Sequence, residues 1–422
     1  MKPQQVDILI SGGGLIGLTL AIGLQRLTNY SIGIIEPKTF IAHSSPYSGR
    51  SIGLSSGGWH ILQRLRIADE LQVNPIKRVE ITRQHQWGRA TIDAKEEGVE
   101  SLGVVLETNQ FAQQLYEQCF SSTHQEKLKT NGVVIEENVT SFSGYSINKI
   151  EFSPQTAQVS LQALDQSTLT VDAKLLIIAE GAESPTRNLL KIAAQKHSYQ
   201  AAALTGQCII THPTAAALER FTDQGPLALL PLETPTRSDQ PTRYALVWVG
   251  LPETLNAFQK LSAKKQCRML EEQWGYRFAV HEILPLTQYP LQRVIAEETI
   301  RPRVLLLGNA ARSLHPVAAQ GYNLALRDVD TLISELLSHH ELAHTENDPG
   351  NYEMLSRIQQ QRKTDQQRVV QFIDTLLTGF SNAESGLPKS LSAFAAPSLT
   401  LFDIVSPLKR GVARFAMGGG YA

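Results

Sequence analysis

The sequence predicts an α/β protein: a Rossmann-like domain, a mainly antiparallel β-sheet domain and a helical C-terminus. Three observations carry that prediction. A short apolar run meets the loop Gly12-x-Gly14-x-x-Gly17 and then a helical periodicity. A second apolar run at 304–307 ends on Gly308-Asn309, roughly three hundred residues later. Between them, from about 190 to 295, the texture turns to longer extended segments such as 227–232 and 244–250.

Taken in order, residues 6–11 read as a buried strand, and 14–27 as a helix with its apolar face at Leu18, Ala21, Ile22 and Leu24. Residues 31–35 form a second strand ending at Glu36-Pro37, which completes a βαβ opening. Arg50 follows a loop of small polar residues, and an apolar helix starts near Gly58. Residues 102–106 read as strand and 109–119 as helix. Residues 147–152, 158–164 and 168–171 form a polar meander, and 175–179 a separate buried strand returning to the first sheet. The strand at 304–307 rejoins that sheet, so the first domain is discontinuous. Its expected parts are 1–74, 100–185 and 295–345, with 75–99 and 186–294 as the second domain and 346–422 as the helical C-terminal region.

Bulk properties exclude several classes. The 422 residues carry 39 Lys plus Arg against 40 Asp plus Glu, a net charge of −1, so no basic nucleic-acid footprint is expected. Cys119, Cys208 and Cys267 lack metal spacing, which predicts no metal and a reducing compartment. The start shows no signal-peptide pattern, and no stretch reaches the roughly 20 apolar residues of a membrane span. A cytoplasmic protein is expected.

The motifs point to chemistry. Gly12 permits a tight turn, Gly14 lets backbone approach a pyrophosphate, and Gly17 lets helix and strand pack closely. The helix N-terminus offers unpaired N–H groups to phosphates. Glu36, 19 residues past Gly17, suits an unphosphorylated adenosine ribose. Arg50 reads either as a contact to a diphosphate or ribityl chain or as a surface arginine. Asn309, beside two alanines, suits ribityl hydroxyls. The loop from Pro316 to Gly321, with Asn323 just beyond, presents backbone N–H groups suited to the pyrimidine edge of an isoalloxazine. Two such anchors so far apart in one chain predict FAD rather than NAD. His315, taken alone, reads as a loop histidine.

With these residues in view, the chain resembles the FAD-dependent aromatic hydroxylases of the para-hydroxybenzoate hydroxylase type. Within them it is similar to the ubiquinone-biosynthesis ring hydroxylases, in the branch acting on 2-polyprenyl-6-methoxyphenol. The Gly loop, the block 219–231 and the block 308–328 carry the resemblance, which runs essentially end to end. It implies NAD(P)H as co-substrate, O2 as oxidant and a polyprenylated methoxyphenol as substrate. It also implies an apolar cavity walled by Leu229, Pro231 and Pro316, while no catalytic base is singled out. Departures accompany it: Glu180-Gly181 replaces an Asp-Gly pair, Asn309 an Asp, Arg312 a His and Ala319 a Gly. An FAD-dependent dehydrogenase, a halogenase or a non-catalytic FAD-binding member of an assembly are the alternatives. In the tail, Leu401, Ile404, Val405, Leu408, Val412 and Phe415 lie at helical spacing with Lys409, Arg410 and Arg414. That face suits either core packing or contact with the inner membrane, a ubiquinone-biosynthesis complex or a lipid-carrying partner.

Overall fold

The structure is a computed structural model describing residues 3–38, 49–85, 89–120, 132–136, 138–211, 216–234, 237, 239–314, 320–342 and 348–381. The first sheet runs in the order β10 (Tyr145–Phe152), β11 (Ala157–Ala163), β12 (Thr168–Ile178), β1 (Gln4–Ser11), β2 (Ile32–Glu36), β9 (Val139–Ser143), β8 (Gly132–Glu136). β20 (Val304–Leu306) pairs parallel with β12 and antiparallel with β19 (Ile300–Arg301). The parallel centre is buried on both faces, so its strands read as unbroken apolar runs.

The expected break between a meander strand and a returning strand does not exist. β12 is one strand: it pairs antiparallel with β11 from Thr168 to Ala173 and parallel with β1 from Val171 to Ile178. Its first half has one face against solvent and its second half is buried on both sides. The hydrophobic pattern therefore changes while the backbone runs on.

Helices α1 (Leu15–Leu27), α2 (Ser56–Arg64), α3 (Thr108–Cys119) and α7 (Gln320–Leu342) meet at one face of this sheet. Gly23 lets α1 and α7 touch, since a Cβ there would lie 2.6 Å from the Ile333 side chain. α8 (Tyr352–Ser381) packs outside α7.

The second sheet runs β21 (Arg312–Ser313), β18 (Thr287–Ala296), β13 (Ala194–Thr211), β16 (Pro241–Gly250), β15 (Gly225–Pro231), β14 (Ala217–Thr222), β5 (Arg78–Arg83), β6 (Ala90–Asp93), with β17 (Ala279–Ile283) beside β13. Two helices unforeseen in the sequence, α5 (Pro252–Gln259) and α6 (Ala263–Gln273), cover its outer face. Trp248 and Phe258 meet there edge to face, ring centroids 5.1 Å apart. The short helix α4 (Pro185–Leu189) follows β12.

A small antiparallel sheet, β3 (Ser51–Ser55), β7 (Gly103–Glu107), β4 (Asn74–Ile76), lies between the two large ones. Leu54, Val104 and Leu106 enter the core of the first sheet, while Ile76 and Val105 pack against the inner face of the second. Period-two alternation thus lets one thin sheet serve two cores. Among the described residues, no helix is long and apolar enough to cross a membrane.

Candidate active site

The Gly loop is built by exclusion of side chains. Gly12 has φ +113°, and a Cβ there would lie 2.6 Å from the Ala179 carbonyl oxygen. A Cβ on Gly17 would lie 1.9 Å from the Gly12 carbonyl oxygen, so helix and turn close on each other only without one. Gly14 differs: a Cβ there meets no atom within 4 Å. It N-caps α1, which has no side-chain cap and no acid in its first turn. Its first amides and the positive end of the helix dipole are therefore free to meet an anion.

Glu36 closes β2 against the same loop. Its Oε2 accepts from the Gly13 amide at 2.9 Å and its Oε1 from the Lys38 amide at 3.1 Å. A carboxylate has about four acceptor sites, so capacity remains for ribose hydroxyls.

A cavity of 270 Å³ opens beside Gly13 and Gly14. Arg50 lines it, its Nε donating to the Tyr289 hydroxyl at 2.7 Å and its guanidinium carbon 3.9 Å from the ring centroid. Thr108, Asn109 and Gln113, which the sequence reading missed, line the same cavity. A signal for them exists. α3 sends Phe111, Leu115 and Cys119 into the core, leaving 109, 112 and 113 on the face towards the cavity, with buried Tyr116 lining it as well.

The second anchor meets the first. β20 leads to Gly308 at φ +57°, where a Cβ would lie 3.3 Å from Ile16 in the first turn of α1. Asn309 is exposed beside buried Ala310 and Ala311. Fully buried Arg187 donates to the carbonyls of Ala310 at 3.0 Å and Ala182 at 2.8 Å, fixing the loop from behind. Glu180 accepts from the hydroxyls of Ser11 and Ser184, each at 2.5 Å, from the Thr186 amide at 3.0 Å and from the Thr186 hydroxyl. Its carboxylate ties the end of β1 to the start of α4. Gly321 lies in the first turn of α7, where a Cβ meets none of the described atoms within 4 Å.

Three expected positions need correction, and others fall outside the described residues. Asn323 is 3% exposed, and its amide serves the fold. Its Oδ1 accepts from the Ser55 amide at 2.9 Å and hydroxyl at 3.0 Å, while its Nδ2 donates to the Gly53 carbonyl at 3.0 Å. It pins α7 to the junction of β3 and α2, which engages the side-chain amide within the fold. Leu229 and Pro231 point away from the expected cavity. Leu229 is fully buried in the outer core under α5 and α6, and Pro231 pairs with Tyr244 of that same core. The inner residues of the strand are Ala228 and Leu230; a one-residue shift in register exchanges faces. Pro316, His315 and Ala319 lie outside the described residues, as does the tail from Leu401 to Phe415.

A charged cluster supports the second anchor. Arg362 meets Asp328 at 2.6 Å and Asp365 at 2.6 Å, and Arg327 meets Asp365 at 2.6 Å. Burial works against the Arg362 charge, but Asp328 and Asp365 outweigh it and hold its pKa above the ordinary arginine value. Arg312 is pushed the other way, by burial and by Arg362, with Asp328 opposing.

Residues 5–373 match the family described as FAD binding domain. The chain is 28% identical to 3-demethoxyubiquinol 3-hydroxylase of Escherichia coli (strain K12) over 99% of its length and all of the relative's. It is 27% identical to the ubiquinone hydroxylase UbiL of Rhodospirillum rubrum over 98% of its length and 89% of that protein's. The solved structure of p-nitrophenol 4-monooxygenase PnpA from Pseudomonas putida DLL-E4 shares the fold over 99% of both chains, at TM-score 0.69 and 15% identity. A loop that excludes its own side chains, an uncapped helix N-terminus and an adjoining cavity are the features such a domain requires. The chain belongs to the FAD binding domain family, alongside hydroxylases of ubiquinone biosynthesis.

Proposed function

We propose that this protein is an FAD-dependent monooxygenase that hydroxylates the ring of a polyprenylated methoxyphenol during ubiquinone assembly, using NAD(P)H and O2. The observation that carries the reading is the open space at Gly14 beside the uncapped start of α1, joined to full-length similarity to ubiquinone hydroxylases. The amides after Gly14 would hold the diphosphate, Glu36 the ribose, and Arg50, Asn309 and the start of α7 the remainder of the cofactor. Bound FAD, once reduced, supplies the activation of O2 for transfer to an electron-rich ring. The chain's own task is to bind that ring against a wall that excludes water. The inner face of the second sheet, with Ala228, Val247 and Leu230, provides an apolar wall of that kind.

A second reading keeps the enzyme class and changes the ring: the full-length relative is named for 3-demethoxyubiquinol, whose ring likewise carries methoxy and prenyl groups. A long prenyl tail suggests peripheral membrane contact, or a lipid-carrying partner in a ubiquinone-biosynthesis complex.

The test is a strain lacking this chain, grown aerobically with no redundant hydroxylase. It should lose ubiquinone and accumulate an unhydroxylated polyprenyl methoxyphenol. Accumulation of demethoxyubiquinol instead would select the second reading, and unaltered ubiquinone would refute both.

A further inference from the structure

The inner face of the second sheet is buried in two patches with a half-open row between them. On one side Ala217 and Ala245 pack against the small sheet through Ile76 and Val105; on the other Ala203 and Val249 are buried with Leu291. The row between them crosses five strands: Ile81, Glu219, Ala228, Val247 and Thr205, aligned by direct pairing and each half-buried. Glu219 is the one acid in that row. Its carboxylate has no hydrogen-bond or ion-pair partner among the described residues, although the row around it is mostly apolar.

A carboxylate kept unpartnered at such a place has a cost with no structural return. Its counterpart on the outer face shows the contrast: Glu80 is held by Arg277 at 3.0 Å and Arg78 at 3.3 Å. Arg220, the next residue along β14, points to that outer side, towards Thr82. Among the described residues, charged positions on the inner face include Arg83, one row away on β5, and the Arg243–Glu107 pair beyond Gln207. Neither pairs with Glu219. Tyr289, which marks the diphosphate cavity, stands across four strand spacings, about 19 Å at ~4.8 Å each. Glu219 is thus reserved for something other than the cofactor phosphates, which it would repel.

We propose that Glu219 is a catalytic residue that accepts the proton of the substrate's phenol hydroxyl. This rests on the function proposed above. The phenol O–H bond breaks, the proton passes to a Glu219 carboxylate oxygen, and the bonding pair stays on the phenol oxygen. From there it raises electron density at the ortho and para carbons, where an electrophilic oxygen attacks. The ring regains aromaticity when the hydroxylated carbon loses its hydrogen as a proton to solvent, the C–H bonding pair returning to the ring, and Glu219 gives its proton back to the phenol oxygen. Desolvation by burial holds the Glu219 carboxyl above the ordinary glutamate range, which narrows its gap to a phenol and makes the transfer less uphill.

The test uses FAD-loaded wild type and Glu219→Gln with 2-geranyl-6-methoxyphenol, NAD(P)H and O2, following both hydroxylated product and cofactor oxidation. Product formation at pH 7 should fall about 100-fold in the variant. FAD affinity should be unchanged and the Tm equal or higher, because a desolvated charge has been removed. The deficit should shrink as pH approaches the phenol's own pKa near ~10, where the ring ionises without help. A variant as active as wild type at pH 7, or a deficit constant across pH, overturns the proposal and leaves the function standing. No product from wild type with this phenol or with a demethoxyubiquinol analogue overturns the functional reading, and this proposal with it.

Discussion

Gly14 and Gly17 sit three residues apart in one motif and fail differently when substituted. A Cβ at Gly17 strikes the Gly12 carbonyl at 1.9 Å, so Gly17→Ala should lower stability by several kcal/mol, on the scale of a strained or overpacked site, and reduce FAD binding only as a consequence. A side chain at Gly14 strikes nothing in the protein. Gly14→Val should therefore fold with a near wild-type urea midpoint yet purify colourless, because the valine fills the space of the diphosphate. Equal flavin content in wild type and Gly14→Val would remove the diphosphate from that space. Asn309 offers a graded case. It is exposed at the second anchor, and if its amide bonds the ribityl chain, Asn309→Leu should weaken FAD binding by about 1–3 kcal/mol while Asn309→Asp retains or tightens it. Titration of the apoprotein with FAD checks both. Gly17 is legible in sequence because backbone geometry dictates its residue type, and Gly14 because a ligand would need the space a side chain would take. Asn323 was not, since an amide serves a ligand or the fold equally well. Only its partner Ser55, 268 residues earlier, decides the matter.

At the scale of elements, the polar clamps determine whether the two anchors stay together. Glu180 joins β1 to α4 through four donors, three of them hydroxyls. Glu180→Gln keeps the shape but turns one acceptor end into a donor facing donors. We expect a loss on the order of 3 kcal/mol, the worth of about one or two charge-assisted hydrogen bonds, read from urea melts. Asp328 and Arg362 join α7 to α8 with side chains 9% and 7% exposed. Asp328→Asn leaves a buried guanidinium short of its main partner and should cost about 3–5 kcal/mol, measured the same way with FAD present and absent. The sequence leads to a helical C-terminal region at 346–422, but the clamp depends on which helix faces meet, and a helical expectation leaves that open. β12 shows the same limit, because its burial pattern switches halfway along an unbroken backbone.

At the scale of the whole molecule, the second sheet is a wall between two apolar interiors, and its two faces have different tasks. The outer face carries the apolar core under α5 and α6; the inner face carries the half-buried row of Ile81, Glu219, Ala228, Val247 and Thr205. The extended segment 227–232 implies a strand, and a strand has two faces. The segment could not reveal which is which, because both are covered by protein and both carry apolar residues. Adjacent residues of β15 separate the two tasks. Leu229→Ala should destabilise the fold by about 2–5 kcal/mol, as expected for a fully buried leucine, while leaving the catalytic constants of the folded fraction near wild type. Ala228→Phe should act in reverse. Its added ring fills the half-open row beside Glu219, so melts and FAD titrations stay close to wild type while hydroxylation of the prenyl methoxyphenol collapses. NAD(P)H oxidation that continues without product would place the block at substrate entry. Loss of activity in Leu229→Ala at full folding, with Ala228→Phe unaffected, would instead put the substrate on the outer face of the sheet.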